Sequence, residues 1–430
     1  MKFDPKTIVL IVFIGVYIYL IASKKFRGLV VWIGASICFI FNILSFEDIL
    51  HFINWNVIGI FIGTLIIAEL FVYSQVPALI ANYLVENSKT VGMAILLVCI
   101  VSGFLSAFVE NVATVLIVAP IALELSRKLK VSPVPFLIGI AISSNLQGTA
   151  TLIGDPPSMI LAAYERMNFN DFFIFHGKPS IFFAVQAGAI ASFIVLYLIF
   201  RRFNQKTTGV TRVEVRTWKP TYVLIVMIIL LALSPLIDPE FKYLGGVICI
   251  ALGIGSLIYH YYRNSSNARA IIKRYDWDTT LFLAGVFVLV GLLEDQGIVD
   301  DIKDFIVSIT GKNPLGAFGL IVSFSVLISA FICNVPYITA MIPVVQKLSM
   351  DINGVGDGCH YLLVFGLLIG SCLGGNITPI GASANIVATG LLKRDGYPIS
   401  FMTFVKIGLP FTLAATIAGS IFLLLVWQSC

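Results

Sequence analysis

The chain has 430 residues, 58% of them hydrophobic and only 12% charged, with a formal net charge of +5. Soluble domains carry about 25% charged residues, so this chain cannot coat a water-facing surface of its size. Soluble enzymes, nucleic-acid binders and disordered scaffolds are excluded as main readings, and a polytopic membrane protein remains.

A helix needs about 20 apolar residues to cross a bilayer. The run from Ile8 to Ala22 is followed directly by Lys24, Lys25 and Arg27, with no small-residue cleavage site. It therefore reads as a first transmembrane helix (7–23) rather than a signal peptide. Further spans read at 28–45, 56–73, 178–200, 220–237, 243–262, 278–293 and 403–427. Apolar arms at 90–108 and 112–126 flank Glu110-Asn111, and arms at 314–331 and 336–350 flank Cys333-Asn334. Segments 133–163 and 361–391 are interrupted by polar, Gly- and Pro-rich cores. Polar tips and broken backbone are tolerated at membrane depth only where they are buried in protein or face a cavity. The expected fold is thus all-α, with about ten transmembrane helices, two re-entrant hairpins (90–126 and 314–350) and two broken helices.

Cytoplasmic loops are enriched in Lys and Arg. Lys24, Lys25 and Arg27 place the first loop inside, as do Arg127, Lys128 and Lys130 after the first hairpin. Arg201, Arg202, Lys206, Arg212, Arg216 and Lys219 do the same, then Arg263, Arg269, Lys273 and Arg274, and finally Lys393 and Arg394. The alternate loops are acidic. The alternation puts both termini outside an inner (cytoplasmic) membrane.

The two halves match. Asn54-Trp55-Asn56 recurs as Asp276-Trp277-Asp278, and Ser106–Val112 (SAFVENV) as Ser329–Val335 (SAFICNV). Pro120 answers Pro343, and Gly148–Gly154 (GTATLIG) answers Gly375–Gly381 (GNITPIG), all within an offset of 222–227 residues. The chain divides into an extra N-terminal helix (1–27), a first repeat (28–200), a basic loop with a linking helix (201–242) and a second repeat (243–427). The loop charges set the repeats in opposite senses. Inverted repeats with paired broken helices are the build of secondary transporters, with the site near the midplane where the repeats meet.

Where a helix breaks, its N–H groups carry partial positive charge and its C=O groups partial negative charge, so half-helix ends can hold anions and cations. In the first repeat the candidates are Glu110, Asn111 and Thr114 at the tip. At the break they are Ser144, Asn145, Gln147, Gly148, Thr149, Thr151 and Asp155. The second repeat offers Asn334, Tyr337, Ser371, Gly375, Asn376, Thr378, Ser383 and Asn385. A carboxylate at membrane depth is costly and usually functional, which makes Glu110 the sharpest candidate, as cation ligand or proton carrier. Asp155 precedes Pro156-Pro157 and fits an N-cap, an ion ligand or both. Asn111 and Asn145 fit either a ligand role or glue between helices. A sodium ion would draw on Glu110, Asn111, Asn145, Asp155 and Asn334. Glu69 is a second buried acid near a span end. Trp55 and Trp277 read as interface anchors, and His51, His176, His260 and His360 as solvated. The seven cysteines are scattered without a CxxC pair, which indicates neither a disulfide framework nor a zinc site.

The stretches Leu105–Pro120, Ser144–Pro157, Ser329–Pro343 and Gly370–Asn385 resemble the ion transporter superfamily. The chain is most similar to its ArsB/NhaD/P-protein branch, which is related to sodium–dicarboxylate symporters and citrate transporter-like permeases. The resemblance covers essentially the whole chain. It implies a homodimer, each protomer with a scaffold and a moving part that carries both hairpins and both broken helices in an elevator-like motion. Two departures bear on mechanism. Cys333 stands where antiporter-like members tend to carry a second tip acid, and Ser158 stands where an Asn often follows Asp-Pro-Pro. The hydroxyls that flank the tip Asn in the dicarboxylate symporters are absent as well. The expectation is an ion-coupled permease, not an enzyme, that moves a small anion or oxyanion, arsenite-like or otherwise inorganic ahead of carboxylates. Sodium or protons would couple transport, and no other cofactor is expected. A sodium/proton antiporter is the alternative. No GxxxxGK[ST] motif is present; an ATPase subunit would have only the short loop at 201–219 on which to dock.

Overall fold

A computed structural model of the chain describes residues 4–23, 25–206, 213–263, 265–311, 313–352 and 357–428. Lys24, Arg212 and Cys430, which enter the sequence reading, lie outside the described residues. Within them run twenty α-helices, eight of them long and apolar enough to cross a membrane. Seven coincide with plain spans read from the sequence, and the eighth, Cys359–Ile377, falls on the second broken segment. The remaining expected span, 28–45, is corrected to a helix of 14 residues, Arg27–Ile40. At 1.5 Å per residue it is about 21 Å long, short of the bilayer core. The chain turns away at Asn42, whose φ of +56° is left-handed, a conformation Asn adopts more readily than most residues.

Four helices have no counterpart in the sequence reading: Phe46–Phe52, Val76–Glu86, Ser265–Arg274 and Ile298–Thr310. They are too short or too polar to register as spans. Ile298–Thr310 is amphipathic, burying Ile298, Val299 and Ile306 while Asp300 and Asp301 sit in its first turn. A two-residue antiparallel hairpin pairs Ile174–Phe175 with Lys178–Pro179.

Two joins are made twice, once per repeat, with the partners exchanged. Asn54 caps the helix Trp55–Ser74 by accepting from Val57 N at 3.0 Å, and Asp276 caps Trp277–Asp295 by accepting from Thr279 N at 3.0 Å. Two residues on, Asn56 Oδ1 accepts from Gly246 N at 2.6 Å and Asp278 Oδ1 from Gly28 N at 3.0 Å. Each repeat thus ties its capped helix to a helix of the other half, Leu244–Arg263 or Arg27–Ile40. Small residues permit close crossings in membranes, where the hydrophobic effect does not drive helices together. A Cβ on Gly63 would sit 2.1 Å from the Cys249 carbonyl carbon.

The hairpins fold as expected: Val91–Ser106 with Asn111–Leu129, and Pro314–Ser329 with Asn334–Asp351. The breaks also lie where the sequence puts them, between Val134–Gly148 and Pro156–Glu165, and between Asp357–Gly374 and Ser383–Arg394.

Two expectations fail. Cys359 is disulfide-bonded, whereas Cys38, Cys99, Cys249, Cys333 and Cys372 are free thiols. Pairing follows distance in space, which scattered sequence spacing does not encode. His360 is not simply solvated. Its Nε2 lies 2.7 Å from Glu165 Oε2 and its Nδ1 2.7 Å from Ser349 Oγ, because the second broken helix begins against the end of Pro156–Glu165.

Candidate functional site

Each hairpin tip is locked by the same polar set. In the first, Ser106 Oγ donates to Asn111 Oδ1 at 2.5 Å, and Ser144 Oγ reaches both Ser106 Oγ (2.9 Å) and the Asn111 carbonyl (3.2 Å). In the second, Ser329 Oγ donates to Asn334 Oδ1 at 2.6 Å and also bonds the Ser371 carbonyl. Thr151 donates to the carbonyl of Ala107, and Thr378 to that of Ala330. These hydroxyls satisfy tip carbonyls that a membrane interior would otherwise leave unpaired. Glycine lets each break approach its tip: a Cβ on Gly148 would lie 2.3 Å from Asn111 Oδ1, and one on Gly375 3.0 Å from Asn334 Oδ1.

The two repeats are tied to each other at Asn145. Its Nδ2 donates to Asn376 Oδ1 at 2.8 Å and to Asn385 Oδ1 at 2.9 Å. Asn385 in turn donates to the carbonyls of Gly375 and Thr378, both at 2.9 Å. At the equivalent place in the first repeat Ser158 Oγ makes one such bond, to the Thr149 carbonyl at 3.2 Å.

Between the tips lies a cavity of about 830 Å³. Its wall includes Glu110, Asn111, Asn145, Asp155, Asn334 and Ser383 among the candidates read from sequence. Thr114, Gly148, Thr149, Thr151, Gly375, Asn376, Thr378 and Asn385 stand behind that wall. Thr114 bonds the Val109 carbonyl (3.4 Å) and Thr149 the Asn145 carbonyl (3.2 Å), and the others hold the tips and breaks together as described. Of the remaining polar candidates, Gln147 exchanges hydrogen bonds with Gln186, and Tyr337 shares one with Ser325 at 3.0 Å. Glu69 also lines the cavity.

Four helix N-termini end at this wall: those of Asn111–Leu129, Pro156–Glu165, Asn334–Asp351 and Ser383–Arg394. Each contributes roughly half a positive charge. The two repeats dress them differently. Glu110 caps its helix, accepting from Ala113 N at 3.0 Å. Asp155 occupies the N-cap position without a capping bond, and its carboxylate shares the cavity wall with Asn111. Pro156 and Pro157 offer no N–H there. In the second repeat the N-cap positions hold Cys333 and Ala382, and neither side chain caps.

Sequence reasoning missed the polar groups that the scaffold adds. Arg27, read as a topology marker, turns inward: its guanidinium donates to Thr279 Oγ1 at 3.0 Å, reaches Cys333 Sγ at 4.0 Å and lies 3.5 Å from Asp278. Arg274, Asp276 and Asp278 join it on the wall. Arg274 and Asp276 are exposed, so the cavity opens at their end. The loop charge counts hint at these residues but carry no direction. The extra N-terminal helix also reaches this tip, where Tyr17 Oη donates to the Pro336 carbonyl at 2.6 Å.

Paired polar breaks buried inside an apolar, many-helix chain serve the passage of polar cargo, and the chain is a polytopic membrane transporter. Residues 17–359 match the model of the citrate transporter family (CitMHS). The chain belongs to that family, within the ArsB/NhaD-type ion transporter superfamily. The 46 kDa membrane protein of Mycobacterium leprae is 30% identical over 432 residues, covering 97% of both chains. The human P protein is 25% identical over 506 residues, which cover 97% of this chain and 59% of that protein. Among solved structures, the YdaH transporter of Alcanivorax borkumensis superposes with a TM-score of 0.60 over 88% of this chain and 86% of its own. At 15% identity that likeness speaks for the fold alone.

Proposed function

We propose that the protein is an ion-coupled secondary transporter that binds its coupling cation at the first repeat and a small anion at the second. The observation that carries this reading is the asymmetry of the four helix ends. The first repeat sets Glu110, Asp155 and the Asn111 amide around its two, an oxygen-rich environment suited to sodium or a proton. The second leaves both ends without a side-chain cap and adds the Arg27 guanidinium, an arrangement suited to an anion. Citrate, named in the family's description, brings carboxylates level with the inorganic oxyanions, and a cavity of about 830 Å³ has room for either.

With the basic loops on the cytoplasmic side, the cavity opens inward. The hairpins and broken helices then move as one body against the scaffold joined at Asn56–Gly246 and Asp278–Gly28, in a homodimer of the inner membrane with both termini outside. A second reading, sodium/proton antiport, draws on the five carboxylates that line the cavity (Glu69, Glu110, Asp155, Asp276 and Asp278) against two guanidiniums.

The test uses protein in liposomes carrying an internal pH dye. Labelled citrate and oxyanions taken up under a sodium or proton gradient, with a flat dye trace when sodium is imposed alone, support anion transport. A sodium-driven pH change without any anion, surviving collapse of the membrane potential, replaces it with antiport.

A further inference from the structure

Away from the central cavity, the helices Trp55–Ser74, Lys219–Leu233 and Leu244–Arg263 enclose a groove of about 410 Å³. Its walls are mostly apolar, with Ile67, Leu70, Val223 and Leu252 among them, and the small residues Ala251 and Gly255 leave it room. A Cβ on Gly255 would meet nothing within 4 Å, so the groove is open space rather than packed core.

One end of the groove is basic and aromatic. Lys219 and Tyr259 line it, with the Lys219 ammonium 4.5 Å from the Tyr259 ring centroid and bonded to its hydroxyl. Arg263 lies 5.8 Å from the same ring. His260, also on the wall, packs edge-on against Tyr73 at 4.9 Å, and Arg216 covers the Tyr73 ring at 5.1 Å. Lys219 therefore stands on an aromatic ring at the mouth of an apolar slot, with Arg263 against the same ring and Arg216 on the neighbouring Tyr73, and among the described residues none of the three is ion-paired with a carboxylate.

We propose that this groove is a binding site for one anionic phospholipid, its phosphate at Lys219 and an acyl chain along Ala251 and Gly255. The chemistry at the two ends selects that occupant. A free anion would leave the apolar length empty, and a zwitterionic lipid would bring its own cation to the basic mouth. Basic pockets between membrane helices hold anionic headgroups in this way, each Lys or Arg contributing about fivefold in affinity.

The experiment titrates the purified full-length protein in detergent with dioleoylphosphatidylglycerol, dioleoylphosphatidylcholine or inorganic phosphate, and counts bound lipid by native mass spectrometry. One phosphatidylglycerol is expected to be retained, with phosphatidylcholine lost and phosphate without effect on the count. Lys219→Gln weakens retention about fivefold. Gly255→Leu fills the slot and abolishes retention while helix content by circular dichroism stays unchanged. Equal retention of phosphatidylcholine, displacement of the lipid by phosphate, or wild-type binding by both variants overturns the proposal. So does a fall in the dimer fraction of Gly255→Leu without lipid on the wild type, which would make the groove a contact between copies.

Discussion

The Arg27 guanidinium reaches the Cys333 sulfur at 4.0 Å, and Cys333 holds the N-cap position of the second hairpin that Glu110 holds in the first. One tip thus carries a carboxylate and the other faces a cation. If an anion docks between Arg27 and the uncapped helix end, Cys333→Asp fills that place with a tethered carboxylate. A hydrogen bond to a charged group is worth about 1.5–3 kcal/mol, so anion uptake should fall about tenfold or more. Uptake should also become more steeply dependent on sodium or protons. Labelled-anion uptake in liposomes reads both, and unchanged uptake would remove Arg27 and Cys333 from the substrate path.

Glu110→Gln separates charge from capping. The amide oxygen of Gln can still accept from Ala113 N, so the tip keeps its fold, and the change in unfolding free energy should stay within about 1 kcal/mol. The coupling charge is gone. Gradient-driven uptake should drop to the level of empty vesicles while thermal unfolding in detergent barely moves. Full gradient-driven transport by this variant would take Glu110 out of the mechanism.

The hairpins and breaks were legible because polarity inside an apolar run is costly and therefore informative. Glu110-Asn111 and Cys333-Asn334 mark the tips, and Gly148 and Gly375 mark the breaks, each with a partner in the other half. Arg27 was not legible. A basic residue beside a span reads as a topology signal, and nothing in the sequence says that a helix of only 14 residues leaves its first side chain deep enough to meet a hairpin tip. Asp276 and Asp278 show the same limit. The repeat matches them to Asn54 and Asn56, but says neither that they cap and join helices nor that they line the cavity. The meeting of His360 with Glu165 joins segments 195 residues apart and leaves no local pattern.

Asn145 ties the repeats together, and its loss should register in stability before transport is considered. Asn145→Ala leaves the buried side-chain oxygens of Asn376 and Asn385 without this donor, at a cost of about 1–3 kcal/mol. Asn145→Asp should be worse, since it sets a third acceptor against those two. Thermal unfolding of the two variants in the same detergent checks the order. A midpoint unchanged in both would mean that the two halves are held together elsewhere.

Close approach of break to tip makes a contrast between two glycines. A Cβ on Gly148 would lie 2.3 Å from Asn111 Oδ1, whereas one on Gly390, exposed in the helix Ser383–Arg394, meets nothing within 4 Å. Gly148→Ala must push Asn111 aside and should destabilise by about 1–3 kcal/mol, the usual cost of overpacking. It should also weaken cation coupling, because Asn111 shares the cavity wall with Asp155 and sits next to Glu110. Gly390→Ala adds the same methyl to a helix with open space beside it. That change should be neutral or stabilising by up to about 1 kcal/mol, since Ala is the better helix former. Unfolding midpoints of the pair, measured together with sodium- and proton-dependent uptake, test the arrangement. Equal behaviour of the two variants would mean that the Gly148–Asn111 approach does not set the site.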